Sequence, residues 1–329
     1  MNQLSESILS SVNQRKRLLL KRAVEIGVNV RVISERFSLF ELSYDGKRCL
    51  FVEGRLPFNS RISTVLTKNK ELTKLLLREN EVSVPAGFLA TTLDEADDHL
   101  KRAGFTFPLV VKPLDAAKGM GVTVNIRSED EFHDAIRKLD AIWDKNPKLR
   151  REFLVEETVY GNDYRILVLN GKVIACAQRI PAHVIGNGTD SVRSLIGKHN
   201  ANRPESYQLK IDEDVLRHLK EQSISLDDIP SAEQRIELRG NANISGGGIA
   251  VDMTEKISAH FRKIAVDAAF ALGVNYCGVD IYTEDISLEN APYHIIEING
   301  APDYDIHEKP VIQGNGIDVT EIIIRELFR

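Results

Sequence analysis

Residues 276–299 read YCGVDIYTEDISLENAPYHIIEIN, and this stretch decides the fold. Apolar and polar residues alternate in YCGVDIYT and in YHIIEIN, which predicts two strands joined by a polar turn. Alternation places Glu297 and Asn299 on one face of the second strand, and pairing of the strands brings Asp280 beside them. Buried carboxylates are costly unless a cation or base neutralises them, and hard oxygen donors suit Mg2+ that carries nucleotide phosphates. The sequence therefore predicts a metal site; the alternative is an edge strand whose polar face is wetted by solvent.

A lysine beside a glycine-bearing loop forms a second candidate site. Residues 107–126, FPLVVKPLDAAKGMGVTVNI, predict a strand, a loop and a partner strand. Lys112 ends the first strand, Gly119 and Gly121 let the loop backbone approach a ligand, and Lys118 adds positive charge. The pattern indicates a cover for a polyphosphate. An ordinary hairpin shares it, because glycine is the default turn residue.

Three arginines form a third candidate set. The pair Asn170-Gly171 separates two alternating apolar runs and predicts a tight hairpin, which places Arg165 and Arg179 on facing strands. These two and Arg239 would suit a transferring phosphoryl group, because guanidinium groups bind phosphates and carboxylates with a planar fork. For any single arginine, a solvated surface position is the alternative.

The chain divides into three predicted parts of α/β (α+β) class. A small N-terminal lobe spans residues 1–65 and contains a hairpin at Asp45-Gly46. A strand, glycine loop, strand and helix make up a second lobe over residues 66–160. The third lobe, residues 161–329, carries the metal strands and a mostly polar insertion at about 186–240. We expect that insertion to contain helical pieces but little continuous core, and to lie over the site.

Composition excludes several classes of protein. The chain has 329 residues, 43% hydrophobic and 28% charged, which is typical of a folded globular protein. A net charge of -5 argues against nucleic-acid binding. Three widely spaced cysteines indicate neither a disulfide framework nor a zinc site, and Cys176 and Cys277 lie in apolar strands typical of core. The N-terminus shows no signal peptide or membrane span, so we expect a cytoplasmic protein with no membrane partner.

Several motifs occur in an order that resembles the ATP-grasp carboxylate-amine ligases. They are LTKNKELTKLLL, PLVVKPLDAAKGMGV, FLVEETVYGNDYRILVLNG, LRGNANISGGGIAVD, GVDIYTEDIS and IIEINGAPDYDIH, over roughly residues 65 to 310. The resemblance is strongest to the ATP-grasp module of cyanophycin synthetase and of bifunctional glutathione synthetase. Motifs in a shared order are more specific than any one of them. The resemblance implies two α/β lobes that grip ATP, plus a small N-terminal α/β lobe.

The resemblance also implies roles for individual residues. Lys70 and Lys112 would contact the nucleotide phosphates, and the loop that closes over them would include Lys118, Gly119 and Gly121. The hinge that binds the adenine would include Glu156, Glu157 and Val159, and Asp163 would bind the ribose. Mg2+, as two ions or with Mn2+ in its place, would be held by Asp280, Glu297 and Asn299. Arg165 and Arg179 would lie near the phosphates and the acceptor. The loop that lines the acyl-phosphate site would include Arg239, Asn241, Asn243 and residues 245–248.

By the same resemblance, a carboxylate attacks the γ-phosphate of ATP, and an amine then attacks the acyl-phosphate. The implied substrates are small carboxylates and amines, namely amino acids or peptides, and relatives suggest a homo-oligomer. Such a reaction requires positioning and charge neutralisation rather than a covalent protein nucleophile. Two alternatives stay open: a phosphotransferase on the same scaffold, and a nucleotide-binding module without turnover. Of the eight histidines, only His307, near the site loop APDYDIH, is a candidate for a role at the site, and a structural role is the alternative.

Overall fold

The computed structural model describes residues 6–52, 54–116 and 120–329, so Lys118 and Gly119 of the predicted closing loop lie outside the described residues. The first lobe consists of two helices and a three-stranded antiparallel sheet: α1 (Glu6–Ser11), α2 (Gln14–Glu25), β1 (Asn29–Ser34), β2 (Leu39–Tyr44) and β3 (Lys47–Val52). The predicted hairpin is confirmed. Asp45 and Gly46 have φ of 46° and 74°, as the two central positions of a type I′ turn require.

Two helices connect this lobe to the next, α3 (Arg61–Leu66) and α4 (Lys70–Glu79). Asn69 starts α4, because its side chain accepts hydrogen bonds from the backbone N–H of Glu71 and Leu72. The helix buries Leu77 in the core beneath the large sheet of the C-terminal lobe. Lys70 and Lys74 therefore stand one turn apart on a helix that is fixed at its N-terminus.

The second lobe is a four-stranded antiparallel sheet, in the order β4-β7-β5-β6, covered by two helices. Its elements are β4 (Gly87–Ala90), α5 (Leu93–Ala103), β5 (Leu109–Pro113), β6 (Thr123–Ile126), α6 (Glu129–Lys145) and β7 (Phe153–Glu157). The predicted strand pair around the glycine loop is confirmed, since β5 pairs with β6. Gly121 has φ +73°, and a Cβ there would lie 2.8 Å from Ile142 and Pro113, so this end of the loop requires glycine.

The third lobe is built on a six-stranded sheet in the order β14-β13-β8-β9-β12-β15. Its elements, with those of the insertion, are β8 (Asn162–Leu169), β9 (Lys172–Ile180), β10 (His183–Ile185), α7 (Val192–Asn200), α8 (Glu213–Glu221), β11 (Arg235–Glu237), β12 (Ile249–Asp252), α9 (Ala259–Ala271), β13 (Tyr276–Thr283), β14 (Tyr293–Asn299), β15 (Ile312–Gln313) and α10 (Val319–Glu326). The Asn170-Gly171 hairpin joins β8 to β9 as predicted.

The two faces of this sheet have different partners. One face packs against α9 and α4 through residues such as Ile166 and Val279. On the other face, Leu167 and Tyr276 share a core with the N-terminal lobe and with α10. That second face also carries Ala177 and Ala250 of a smaller apolar cluster, beside the polar side chains of Arg165, Arg179 and Asp280.

The insertion differs from the prediction of little continuous core, which is wrong. The pair β10-β11 and helices α7 and α8 enclose a core of ten buried residues: Ala182, Val184, Val192, Leu195, Ile196, Leu209, Val215, Leu219, Ile236 and Leu238. These residues are dispersed singly among polar ones along the sequence. Only the packing of two short helices on two three-residue strands brings them together.

The cysteines behave as core residues, as predicted for two of them. Cys49, Cys176 and Cys277 are all unpaired and buried. Burial raises the pKa of Cys277 to about 12 and also raises that of Cys176, so neither is a ready thiolate nucleophile.

Among the described residues, no helix is both long and apolar enough to cross a membrane.

Candidate active site

The three predicted metal ligands meet on two neighbouring strands. Asp280 of β13 pairs in register with Glu297 of β14, and Gly278 pairs with Asn299. The Asn299 side-chain amide donates a hydrogen bond to Asp280 Oδ2 at 3.4 Å. The predicted convergence of three oxygen-bearing side chains is therefore confirmed, while their role as metal ligands stays a prediction.

A network of arginines and carboxylates continues from Asp280 across the sheet. Arg165, directly opposite on β8, donates hydrogen bonds from Nε and Nη2 to the Asp280 carboxylate, the second at 2.9 Å. Arg179 Nη2 lies 3.1 Å from Asp280 Oδ2 and donates to Asp163 Oδ1 at 2.6 Å. Cross-strand register thus places two cations and two carboxylates on the same face of β8, β9 and β13.

The two carboxylates of this network respond differently to their neighbours. Burial alone would raise the pKa of Asp280, but the attraction of Arg165 and Arg179 outweighs it and lowers that pKa. Burial raises the pKa of Asp163, and repulsion by Asp280 adds to the increase although Arg179 opposes it. The sequence motif suggested a ribose contact for Asp163; here its carboxylate is the partner of Arg179.

A second buried cluster joins the four-stranded sheet to helix α4. Lys112 Nζ of β5 lies 2.8 Å from Glu156 Oε1 of β7, and Lys74 Nζ of α4 forms an ion pair with the same oxygen. Burial works against the charge on Glu156, yet the two lysines outweigh it and lower its pKa. Burial is the main cause that lowers the pKa of Lys74, to about 8. Two cations thus share one carboxylate in the interior.

Lys70 connects the two clusters. Its ammonium donates to the Ala116 carbonyl at 2.7 Å, next to the closing loop, and lies 3.7 Å from Glu297 Oε1. Burial lowers its pKa, and the attraction of Glu297 opposes that decrease. Lys70, the predicted phosphate lysine, therefore lies between Ala116 and Glu297 of β14.

The predicted adenine hinge lies where one sheet ends and the next begins. Glu157 is the last residue of β7, and its N–H donates to the Ala86 carbonyl at 3.0 Å. Val159 follows in the segment that leads to β8. A Cβ at Gly161 would lie 2.9 Å from the backbone of Thr283, so this segment is pressed against β13. The side chain of Glu156, by contrast, is occupied by the lysines.

A cavity of about 830 Å³ opens between these groups and the N-terminal lobe. Its wall on the catalytic side includes Lys70, Asp115, Ala116, Glu297 and Asn299. The opposite wall comes from the N-terminal lobe and from α3. Glu297, Asn299 and the predicted phosphate lysine Lys70 therefore face the same space as the first lobe, and that space is large enough for a small-molecule substrate.

Comparison with known proteins agrees with this geometry. A family profile described as RimK-like ATP-grasp domain matches residues 67–197. The chain is 31% identical to the cyanophycin synthetase of Nostoc sp. over 328 residues, which is 97% of this chain and 35% of that protein. The crystal structure of a bifunctional glutathione synthetase from Pasteurella multocida matches with a TM-score of 0.73 and 27% identity, covering 98% of this chain and 44% of that one. The chain contains a RimK-like ATP-grasp domain.

A further relative supports the same assignment and shows its extent. The glutathione biosynthesis bifunctional protein GshAB of Desulfotalea psychrophila is 32% identical over 309 residues, which is 91% of this chain and 39% of that protein. The chain thus spans less than half the length of each of these three relatives. The predicted ATP-grasp fold is confirmed.

Two predicted site residues of this ATP-grasp protein make their contacts within the insertion and the loop that follows it. Arg239 donates from Nη2 to Asp212 at 2.6 Å, from Nη1 to Asp214 at 3.0 Å and from Nε to the Gly246 carbonyl at 2.9 Å. Asn241 Oδ1 accepts from the Asn243 N–H at 3.2 Å. Arg239 therefore joins the loop at Gly246 to the start of α8 through hydrogen bonds, and its role at the acyl-phosphate stays a prediction.

The sequence analysis did not predict Lys74 or the buried hydrogen bond between Tyr207 and Asp305 of the motif IIEINGAPDYDIH. Lys74 lies four residues after Lys70, and helical spacing could have indicated that both lysines share a face. Nothing local signals the pair in which Tyr207 of the insertion donates to Asp305 Oδ2 at 2.6 Å. His307 is fully buried. Burial, and to a smaller extent repulsion by Arg165, lowers its pKa to about 3, so His307 is neutral beside the arginine–carboxylate network.

The donor set fits a hard divalent cation of the kind ATP-grasp proteins use with ATP. Asp280, Glu297 and Asn299 offer carboxylate and amide oxygens, the ligand types that Mg2+ prefers. Glu297 and Asn299 line the cavity, with the Glu297 side chain 35% exposed. Asp280 is held by two guanidinium groups, so a metal would share that carboxylate with Arg165 and Arg179.

Proposed function

We propose that this protein is an ATP-dependent ligase that forms an amide bond between a carboxylate and an amine and releases ADP and phosphate. One observation carries the proposal: Lys70, Glu297 and Asn299 face one cavity, and Asp280 with its two arginines lies next to them on the sheet. The chain's similarity to a cyanophycin synthetase and to a glutathione biosynthesis protein supports amino acids or peptides as substrates.

The reaction needs two displacements. A carboxylate oxygen attacks the γ-phosphorus of ATP and ADP leaves; the amine nitrogen then attacks the carbonyl carbon, phosphate leaves, and the nitrogen loses a proton. Both steps develop negative charge on phosphoryl or carbonyl oxygens, and fixed cations stabilise such charge best where water is excluded. Lys70, Lys112, Arg165 and Arg179 are the cations that the fold fixes there.

The protein's own residues therefore bind and orient. Mg2+, held by Asp280, Glu297 and Asn299, would neutralise charge on the nucleotide phosphates when bound. Lys112 and Lys74 are oriented by Glu156, and Lys70 is oriented between Ala116 and Glu297. The number of ions, and Mn2+ as a substitute, are open to titration with each metal.

Replacing Glu297 tests the metal site. We expect Glu297→Ala to lower ADP formation by about a hundredfold or more even at high Mg2+, because one ligand and one partner of Lys70 are lost. Glu284→Ala, an exposed carboxylate just after β13, is the matched control and should keep the wild-type rate. Wild-type rates for Glu297→Ala would show that the triad is misassigned.

Replacing Lys112 tests nucleotide binding separately. Lys112→Ala should weaken ATP binding by roughly tenfold or more, because a charge-assisted hydrogen bond is lost and Glu156 keeps a single cation. Equilibrium binding of ATP measures it, and unaltered affinity would count against the assigned role.

Product analysis distinguishes a ligase from a phosphotransferase. A ligase releases ADP and phosphate only when both an acid and an amine are present, and mass spectrometry of the product from screened amino acid pairs identifies the bond formed. A nucleotide-binding module without turnover would release no ADP with any pair.

A cytoplasmic location is supported by three unpaired, buried cysteines. A homo-oligomer stays a prediction that light scattering can check.

A further inference from the structure

We infer that the N-terminal lobe selects the acid substrate, and that this acid carries at least one anionic group besides the carboxylate that reacts. The inference rests on the proposed ligase function, because it assigns the reacting carboxylate to the end of the cavity at Glu297 and Asn299. The opposite end then has to accommodate the remainder of the acid, and the chemistry of that end is specific.

Four cations besides Lys70 line the cavity. They are Arg15 and Lys16 of α2, Arg55 just after β3, and Lys68 between α3 and α4. The carboxylates on the cavity wall, Asp115 and Glu297, both lie at the catalytic side, and Lys70 already pairs with Glu297. Five cations and two carboxylates therefore line the cavity, and four of the cations belong to the N-terminal lobe and the connection between α3 and α4.

Among the residues that the structure describes, only one of these four cations has an acidic partner. Arg15 pairs with Asp303 at 2.6 Å. Within residues 6–52, 54–116 and 120–329, no carboxylate forms an ion pair with Lys16, Arg55 or Lys68. Three cations that face a common space, with no ion pair among the described residues, repel one another, and a bound anion would relieve that repulsion.

The position of two cations on helix α2 supports the same conclusion. Arg15 and Lys16 occupy its first turn, which contains no acidic residue. The N-terminus of a helix carries partial positive charge, so lysine and arginine there are unfavourable and acidic residues are preferred. Asn13, the N-cap, also lines the cavity. This arrangement disfavours the isolated lobe but favours an anionic ligand at the helix end.

The neutral side chain of Asn59, which lines the cavity, is already satisfied. The Asn59 amide donates to the carbonyls of Tyr276 and Gly300 at 2.6 and 2.8 Å, and its oxygen accepts from the N–H groups of Asn275 and Tyr276 at 3.0 and 2.9 Å. Asn59 therefore has little capacity left for a substrate. Recognition of the acid falls to the charged groups at the N-terminal end.

Binding of a charge series tests the inference without requiring turnover. Acetyl-Ala-Ala, acetyl-Ala-Glu and acetyl-Glu-Glu differ by one negative charge at each step, and calorimetric titration into the full chain with ADP and Mg2+ gives their affinities. We expect each added charge to tighten binding about tenfold, because each forms a charge-assisted contact. Acetyl-phosphoserine-Ala distinguishes a phosphate from a second carboxylate as the preferred extra anion.

The variant for the same titration is Lys16→Gln combined with Lys68→Gln. It should weaken binding of acetyl-Glu-Glu by about tenfold or more and leave acetyl-Ala-Ala and ATP unchanged. Lys21→Gln, an exposed lysine further along α2 and away from the cavity, is the matched control and should bind like wild type. Equal affinity of the wild type for all three peptides, or an unchanged charge preference in the double variant, would overturn the inference.

A trapping assay separates this inference from the ligase proposal. Hydroxylamine replaces the unknown amine, and a hydroxamate forms only if the acid is activated by ATP. Charge-dependent binding without any hydroxamate would refute the ligase while leaving acid selection by the N-terminal lobe intact. Hydroxamate formation that is equally efficient with all three peptides would support the ligase and refute the selection.

Discussion

The buried lysine of helix α4 allows a prediction about stability. Lys74 is 2% exposed, and burial is the main cause that lowers its pKa from 10.5 to about 8. Below about pH 8 the Lys74 amine is protonated in both the folded and the unfolded chain, so the free-energy cost of burying its positive charge is fully present. The difference between the two pKa values corresponds to about 3 kcal/mol.

The sign of the pH dependence follows from proton binding. Between pH 8 and 10.5 the unfolded chain binds this proton while the folded chain has released it, so the free energy of unfolding rises with pH. The Lys74→Met variant removes the charge and keeps an unbranched apolar side chain of similar length. We expect it to be more stable than wild type by about 2–3 kcal/mol near neutral pH, with the advantage shrinking by about 2 kcal/mol at pH 9.5.

Urea unfolding followed by tryptophan fluorescence measures this difference. Trp143, the only tryptophan, is buried in the lobe whose strand β7 carries Glu156. Taking the difference between variant and wild type cancels the cysteines and tyrosines that also titrate at high pH. Lys101→Met, an exposed lysine of α5, is the control and should show no pH-dependent difference. A Lys74→Met variant that is less stable near neutral pH, or whose difference from wild type ignores pH, would refute the reasoning.

Three further predictions concern other parts of the chain. Burial raises the pKa of Glu308 from 4.5 to about 7, so this carboxyl should cost the wild type about 3 kcal/mol of stability as pH rises across that window. Burial also raises the pKa of Asp305, to about 6, so Glu308→Gln should still lose stability but about 3 kcal/mol less than the wild type; equal slopes in urea titrations at several pH values would contradict this. Gly121→Ala should cost about 1–3 kcal/mol, because its φ is +73° and the added Cβ meets Ile142 at 2.8 Å; an unchanged unfolding midpoint would show that the loop adapts. Asn59→Ala should cost about 3 kcal/mol, because backbone groups around Tyr276 lose their partners; thermal unfolding checks it, and a loss below about 0.5 kcal/mol would mean that water replaces the amide.

Much of the fold could be predicted from local patterns. Positive-φ turn pairs fixed both hairpins, at Asp45-Gly46 and Asn170-Gly171, because few residues adopt that geometry. The alternation in residues 276–299 was sufficient to place Asp280 beside Glu297, since side chains on adjacent paired strands share a face. The core of the insertion escaped prediction, because its apolar residues come from short elements without a continuous periodic run.

The sequence by itself determined the strand pair, its three oxygen-bearing side chains and the family, because these depend on spacing along one chain and on the order of motifs. The tertiary structure alone decided which charges meet. It placed Lys74 and Lys112 on one carboxylate, and it joined Asp163 to Arg179 and Asp280. It also turned the basic first turn of α2 towards the cavity. Electrostatic energy depends on distance and burial in three dimensions, and neither can be deduced from sequence separation.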